Sequence, residues 1–206
     1  YPSAIDVNLF FAENLYGSSS KGVLKGAIYY WSQSSPPFNT NNGNQILNFN
    51  TMDYAIYNRS GANIAGELHP NSTQYTPIDY IPSGQSFFVL YDDGASSNSG
   101  NVIFRNSMRV TGHNEQFYRE NITNTANRLW LNLSNTNVFN QTAIAYIDNA
   151  TNGDDGASYD APRYFNGSSA MLVSFAENSD KPLAIQGKQT TTLTINEEIA
   201  LGFTTA

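Results

Sequence analysis

Cysteine is absent from all 206 residues. Disulfides, thiolate nucleophiles and thiolate metal sites are excluded at once. Secreted eukaryotic domains often carry disulfides, so a cysteine-free chain of this kind points toward a bacterial secreted protein. Charge is scarce as well: Asp, Glu, Lys and Arg make up 13%, about half the usual share. The balance is negative, −7 at pH 7, with no basic run. Such a chain has no electrostatic footprint for nucleic acid or anionic lipid, and no nucleic-acid partner is expected. No apolar run approaches the roughly 18 residues of a spanning helix, so no membrane insertion is expected. No signal peptide is present, and Tyr1-Pro2 reads as the start of a fragment of a longer precursor.

Amides and hydroxyls stand in for charge. There are 27 Asn and 37 Ser plus Thr, a polar, weakly charged surface of the kind many extracellular β-proteins carry. Seven Asn-x-Ser/Thr sequons occur, at Asn58, Asn71, Asn121, Asn132, Asn140, Asn149 and Asn166. About five are expected by chance in so Asn-rich a chain, so they are read as surface and not as glycosylation signals. Hydrophobic residues make up 40% and aromatics 13%, enough for a packed core.

Patterning predicts an all-β fold: a β-sandwich of short antiparallel strands, with long Asn/Ser/Gly-rich loops and one short N-terminal helix. The helix is expected to begin with Ser3 as cap and Asp6 in the capping-box position, burying Ile5, Leu9 and Ala12. Strand character follows over residues 21–31, 45–47, 54–57, 78–81 and 85–91. The run Gln85-Ser-Phe-Phe-Val-Leu-Tyr91 is apolar enough for a central strand and is expected to pair with residues 102–105 in a long-tipped hairpin. Pro82-Ser-Gly84 reads as a turn. The second half offers strands at 128–134, 141–147, 170–175, 181–186, 191–195 and 199–201. In the first of these Leu129, Leu131 and Leu133 alternate with Trp130 and Asn132, and the leucine face is expected to be the buried one. Residues 1–206 are read as a single module, with a subdivision near 111–127, where periodicity lapses, as the alternative.

Little local chemistry supports catalysis. His69 and His113 lie in no metal-ligand or nucleophile motif. The 17 acids could supply a carboxylate pair, but Glu13, Glu67, Glu115, Glu120, Glu177, Glu197 and Glu198 all fall at element ends or in polar ground. The chain is therefore read as not an enzyme. The loop 148–155 is the candidate metal site: Asp148, Asn152 and Asp154 present side-chain oxygens that calcium could use, and Gly153 allows a sharp turn. Its match to an EF-hand loop is partial, since Ala150 and Tyr159 stand where ligands belong. A plain Asx-turn loop is the alternative. Trp31 and Trp130 are candidate carbohydrate-stacking rings: Tyr29-Tyr30-Trp31 puts rings on both faces of one strand, and Trp130 opposes the leucine face. The alternative places both rings in a core.

Several runs, in order along nearly the whole chain, carry a resemblance. In the first half they are Tyr1-Pro-Ser-Ala-Ile-Asp6, Tyr29-Tyr-Trp31, Asp53-Tyr-Ala-Ile-Tyr-Asn58, Tyr80-Ile-Pro-Ser-Gly-Gln-Ser-Phe-Phe-Val89 and Asn106-Ser-Met-Arg-Val110. In the second they are Arg128-Leu-Trp-Leu-Asn-Leu133, Ala145-Tyr-Ile-Asp-Asn-Ala-Thr-Asn-Gly153, Leu183-Ala-Ile-Gln-Gly187 and Leu201-Gly-Phe203. Together they resemble the β-rich region that precedes the type IX sorting signal in large surface and secreted proteins of Bacteroidota. The resemblance implies an extracellular, cell-surface module without catalytic residues, whose partners are copies of itself, surface proteins or glycans. Members usually continue past Leu-Gly-Phe-Thr-Thr with further strands, whereas this chain stops at Ala206. A missing strand would leave an open edge, so structure, adhesion or assembly by strand pairing is the expected function. A carbohydrate-binding module attached to a secreted polysaccharide-degrading enzyme is the alternative.

Overall fold

A computed structural model describes residues 2–17, 22–31, 53–65, 76–95, 99–114, 127–134, 139–156, 159–164, 170–193 and 196–205. The strand expected at 45–47, together with His69, Glu67, Glu115 and Glu120, lies outside the described residues. The chain opens with β1 (Ala4–Asp6) and the helix α1 (Val7–Asn14). Strands β2 (Leu24–Trp31), β3 (Tyr54–Asn58), β4 (Gly61–Asn63), β5 (Tyr80–Ile81), β6 (Phe87–Tyr91) and β7 (Arg109–Val110) follow. The second half contributes β8 (Arg128–Ser134), β9 (Phe139–Ile147), β10 (Ala161–Pro162), β11 (Ala170–Ser174), β12 (Leu183–Gln189) and β13 (Leu201–Thr205). The all-β class with one short N-terminal helix is as the sequence predicts.

Among the described residues the strands form three sheets. One is ordered β5-β1-β7, a second β4-β3-β2-β6, and the largest β13-β11-β12-β9-β8, with β10 also paired to β12. The pairs are antiparallel except β9 with β12, which run parallel from Ala143–Ile185 to Ile147–Gln189. A parallel pair needs a crossover connection, and here β10 and β11 fill it in place of a helix.

The four-stranded sheet is the middle layer. Its side chains alternate between faces with the strand period of two. On one face Ile28, Tyr30, Ala55 and Tyr57 are buried with Phe10, Phe11, Leu15 and Met108, against α1 and the small sheet. On the other, Ala27, Tyr29 and Ile56 are buried with Ala143, Ala161, Ala184 and Ile185 of the large sheet. Each large side chain so buried stabilises the fold by roughly 1.5–3 kcal/mol. This second cluster draws residues from both sides of the 111–127 interval.

Several local expectations are corrected. Asp6, not Ser3, caps α1, accepting the Leu9 N–H at 3.0 Å. Residues 4–6 are already paired with β5 and β7, so the helix can start only where that strand ends. Its buried side is Val7, Phe10, Phe11 and Asn14, while Leu9 is exposed. Residues 102–105 do not pair with β6, whose one partner among the described residues is β2. They dock on α1 instead: Asn14 Nδ2 donates to Ile103 O at 2.8 Å, Asn14 Oδ1 accepts the Ile103 N–H at 2.6 Å, and the Phe104 ring lies 5.2 Å from Phe10. Strand β6 is an edge strand, not a central one. Thr191 and Thr192 sit in a 3-10 turn where a strand is predicted. The turn at Pro82 is present: Gln85 N–H donates to Pro82 O at 3.2 Å, with Gly84 at φ +80, the left-handed conformation that favours glycine.

Four asparagines read as surface are buried: Asn14, Asn58, Asn63 and Asn140. A short amide carries two donors and an acceptor, which suits it to stitch chain segments inside a core. Asn58 Oδ1 accepts from Ser60 N and Gly61 N, and its Nδ2 donates to Tyr159 O at 2.8 Å. Asn140 Oδ1 accepts the Leu172 N–H at 2.9 Å. The sequons at these two positions are therefore closed to modification in the folded protein.

Candidate functional site

The face of β2 that carries Tyr29 and Trp31 is only partly covered by the large sheet. Register places Tyr29 opposite Ile56 on β3 and Phe88 on β6, and Trp31 opposite Tyr54. These side chains therefore share one face. Toward β3 and β4 the large sheet closes over it. Toward the β6 edge a cleft of about 200 Å3 remains, lined by Tyr29, Tyr54, Ile56, Phe88 and Leu90 on one side and by Arg163 and Tyr164 on the other. Arg163 and Tyr164 immediately follow β10, whose pairing with β12 sets them there: Arg163 N–H donates to Pro182 O at 2.8 Å.

The cleft walls are aromatic and partly exposed. Phe88 is 58% exposed and Tyr164 46%, large fractions for rings of this size. Tyr54 meets Phe88 edge to face at 5.6 Å, Trp31 meets Tyr54 at 5.1 Å, and Tyr29 meets Tyr164 at 5.9 Å. Edge-to-face contacts fix ring orientation without covering the ring faces. Tyr29 OH donates to Pro162 O at 3.0 Å. Burial pushes the Tyr29 phenol well above its ordinary range, and Tyr164 is also raised, chiefly by burial, so both stay neutral hydroxyls. The Arg163 guanidinium is pushed down to about 10 by burial yet remains a cation near neutral pH. Its Nη2 donates to Gln141 O. The cleft offers flat apolar surfaces, three phenols (Tyr29, Tyr54 and Tyr164) and one guanidinium, a set that can hold and orient a ring-shaped polar ligand.

The sequence candidates fare unequally. Trp31 joins this aromatic group through Tyr54, at the margin of the cleft. Trp130 does not: its indole N–H donates to Ala62 O at 3.0 Å and its ring packs against the cluster between the sheets. The leucine face of β8 is not the fully buried one that the sequence predicts: Leu129 is 45% exposed and Leu131 and Leu133 are half-buried, while Trp130 on the other face packs between the sheets. Alternation reveals two faces but not which of them meets a partner sheet. Asp148, Asn152 and Asp154 are each bonded to protein. Asp148 Oδ1 accepts from Thr190 Oγ1 at 2.8 Å, Asn152 Oδ1 accepts from Gln189 N and Thr192 Oγ1 at 3.3 Å each, and Asp154 pairs with Lys181 at 3.0 Å. These contacts tie the loop to the end of β12 and to Lys181. No group of three or more His, Cys, Asp or Glu that could hold a metal occurs among the described residues. His113 stacks on Tyr80 with ring centroids 3.8 Å apart.

A larger depression, about 900 Å3, lies between residues 175–180 and 198–200. Its cation, Lys188, is paired with Glu197 at 3.0 Å, both side chains largely buried. It lacks the convergent aromatic walls of the smaller cleft. Sequence reasoning missed Tyr54, Phe88, Arg163 and Tyr164, which are scattered over 111 positions. The one local signal was Phe87-Phe88, adjacent rings that must face opposite sides of a strand.

Neither a curated protein nor a solved structure matches the chain. A family model described as a domain of unknown function, DUF8693, matches residues 1–206, and the chain belongs to that family.

Proposed function

We propose that this domain is a non-catalytic glycan-binding module of the bacterial cell exterior, serving adhesion, with the aromatic cleft as its binding site. The observation that carries the reading is the pair of exposed rings, Phe88 and Tyr164, on opposite walls of a cleft that also holds polar groups. Leaving about half of each ring in water forgoes burial worth on the order of 1 kcal/mol each, and a sugar ring covers them while its hydroxyls find the phenols. The exterior location is supported by the cysteine-free, weakly charged composition and by the resemblance to modules preceding the type IX sorting signal. Attachment to an adhesin or to a polysaccharide-degrading enzyme gives the module the same task.

The test is a glycan panel titrated against the protein and against Phe88→Ala and Tyr164→Ala, followed by tryptophan fluorescence, with Trp31 as the nearby reporter. Exposed substitutions shift stability by about 0.5 kcal/mol or less, so both variants are expected to stay folded. Loss of one stacking ring is expected to weaken binding about tenfold. Undiminished affinity in both variants removes the cleft as the site.

A second reading, assembly by strand pairing, is favoured by β13. It is an edge of the large sheet, and its Leu201 and Phe203 are 48% and 69% exposed. An apolar edge strand is a template for another strand.

A further inference from the structure

We infer that the group seated in the aromatic cleft carries a carboxylate, so that the recognised glycan contains uronate-type acidic sugars; this rests on the cleft being the glycan site. The observation is Arg163. Four ion pairs are described, Lys25–Asp93, Arg105–Glu13, Lys181–Asp154 and Lys188–Glu197, and Arg163 is in none of them. Its Nη2 reaches only a backbone carbonyl, that of Gln141, and its Nε is buried without an acceptor among the described residues. Arg163 is half-buried, and a guanidinium partly removed from water with no counter-charge among the described residues is costly; the cost falls when a ligand brings the anion.

The chemistry of the walls narrows that anion. A guanidinium is a planar fork that matches a carboxylate in bidentate geometry. A uronate holds its carboxylate one bond from the pyranose ring. The ring can then lie between Phe88 and Tyr164 while the carboxylate meets Arg163. At about 200 Å3 the cleft is smaller than the ~300–1,000 Å3 usual for small-molecule sites, so it takes one ring and leaves the rest of a polymer outside. Apolar walls lower the local dielectric and strengthen the contact. The net charge of −7 repels a polyanion at a distance, so selection must happen in the cleft and not by long-range steering.

The experiment compares polygalacturonate with its fully methyl-esterified form, which keeps the backbone and removes the charge, by affinity electrophoresis and calorimetry. Alginate serves as a second uronate polymer and a β-glucan as a second neutral one. The 206-residue chain is expected to bind at least one uronate polymer about tenfold or more tightly than the neutral polymers. Arg163→Gln is expected to erase that preference, and Arg163→Lys to restore part of it. Unfolding midpoints of both variants separate lost recognition from lost folding. Equal affinity for charged and esterified polymer in the unmodified protein overturns the inference, whatever the variants do. Binding confined to neutral polymers and lost in Phe88→Ala overturns it while leaving the glycan reading standing. Binding to none of the polymers sinks both.

Discussion

Asp160 shows how one side chain can make the whole fold sensitive to pH. It is buried, and its carboxylate accepts the Asp155 N–H at 2.7 Å and the Gly187 N–H at 3.0 Å. Burial nevertheless pushes the carboxyl up to about 7, outweighing those two hydrogen bonds, with Asp155 and Asp154 adding to the rise. Between its ordinary value near 3.8 and about 7, the folded state holds a proton that the unfolded chain releases. Stability contributed by this group is therefore present at acid pH and lost as pH rises through that window. Urea midpoints of the wild type and of Asp160→Asn, followed from about pH 4.5 to about pH 8, should show a shallower fall in the variant. Parallel curves would mean that the carboxyl titrates as an ordinary exposed acid. Gly187, besides donating its N–H to that carboxylate, acts through the side chain it lacks. A Cβ there would stand 2.7 Å from Tyr159 Cβ and 3.0 Å from Ser60 Oγ, so that glycine is what lets the 159–160 segment lie against β12.

At the scale of elements, the segment before β13 is pinned by one buried ion pair, Lys188 on β12 with Glu197. Removing a single partner leaves an uncompensated charge. Lys188→Met should lower the stability of the fold by about 3–5 kcal/mol in equilibrium denaturation, whereas the exposed pair Lys25–Asp93 should contribute at most about 1 kcal/mol. Equal losses from breaking the two pairs would show that Lys188 and Glu197 are hydrated. Most strands were legible in the sequence because their runs alternate or are apolar and end at Gly, Pro or Asn. What escaped was partnership. Phe87-Phe-Val-Leu-Tyr91 reads as a central strand because it is apolar on both faces; it lies at an edge, and its second apolar face lines the cleft. Residues 102–105 have strand composition but join no sheet; they dock on α1 through Asn14 and Phe10 instead. The cleft itself was invisible, since Phe88 and Arg163 come together only through the packing of two sheets.

For the molecule as a whole, the large sheet presents two edges, β8 and β13. Pairing of the β8 edge in one copy with β13 in the next is heterologous, so it builds a ring where the rotation between copies closes and a filament where it does not. If β13 is an assembly edge, light scattering should show mass rising with concentration, and Phe203→Lys should abolish that rise. A single mass at every concentration would remove the second reading and leave the cleft as the site of function. The parallel pairing of β9 with β12 also sets the order in which the domain can be made. Its partners lie about 40 residues apart in sequence, and they flank the centre of the large sheet. Contacts across such a separation form only after a long stretch of chain has been confined, which slows folding. During synthesis the middle layer can dock on α1 early, but its other face must wait, still apolar, until residues 183–189 emerge. The interval before that moment is when the nascent chain is most exposed to aggregation, and when a chaperone would have the most to hold.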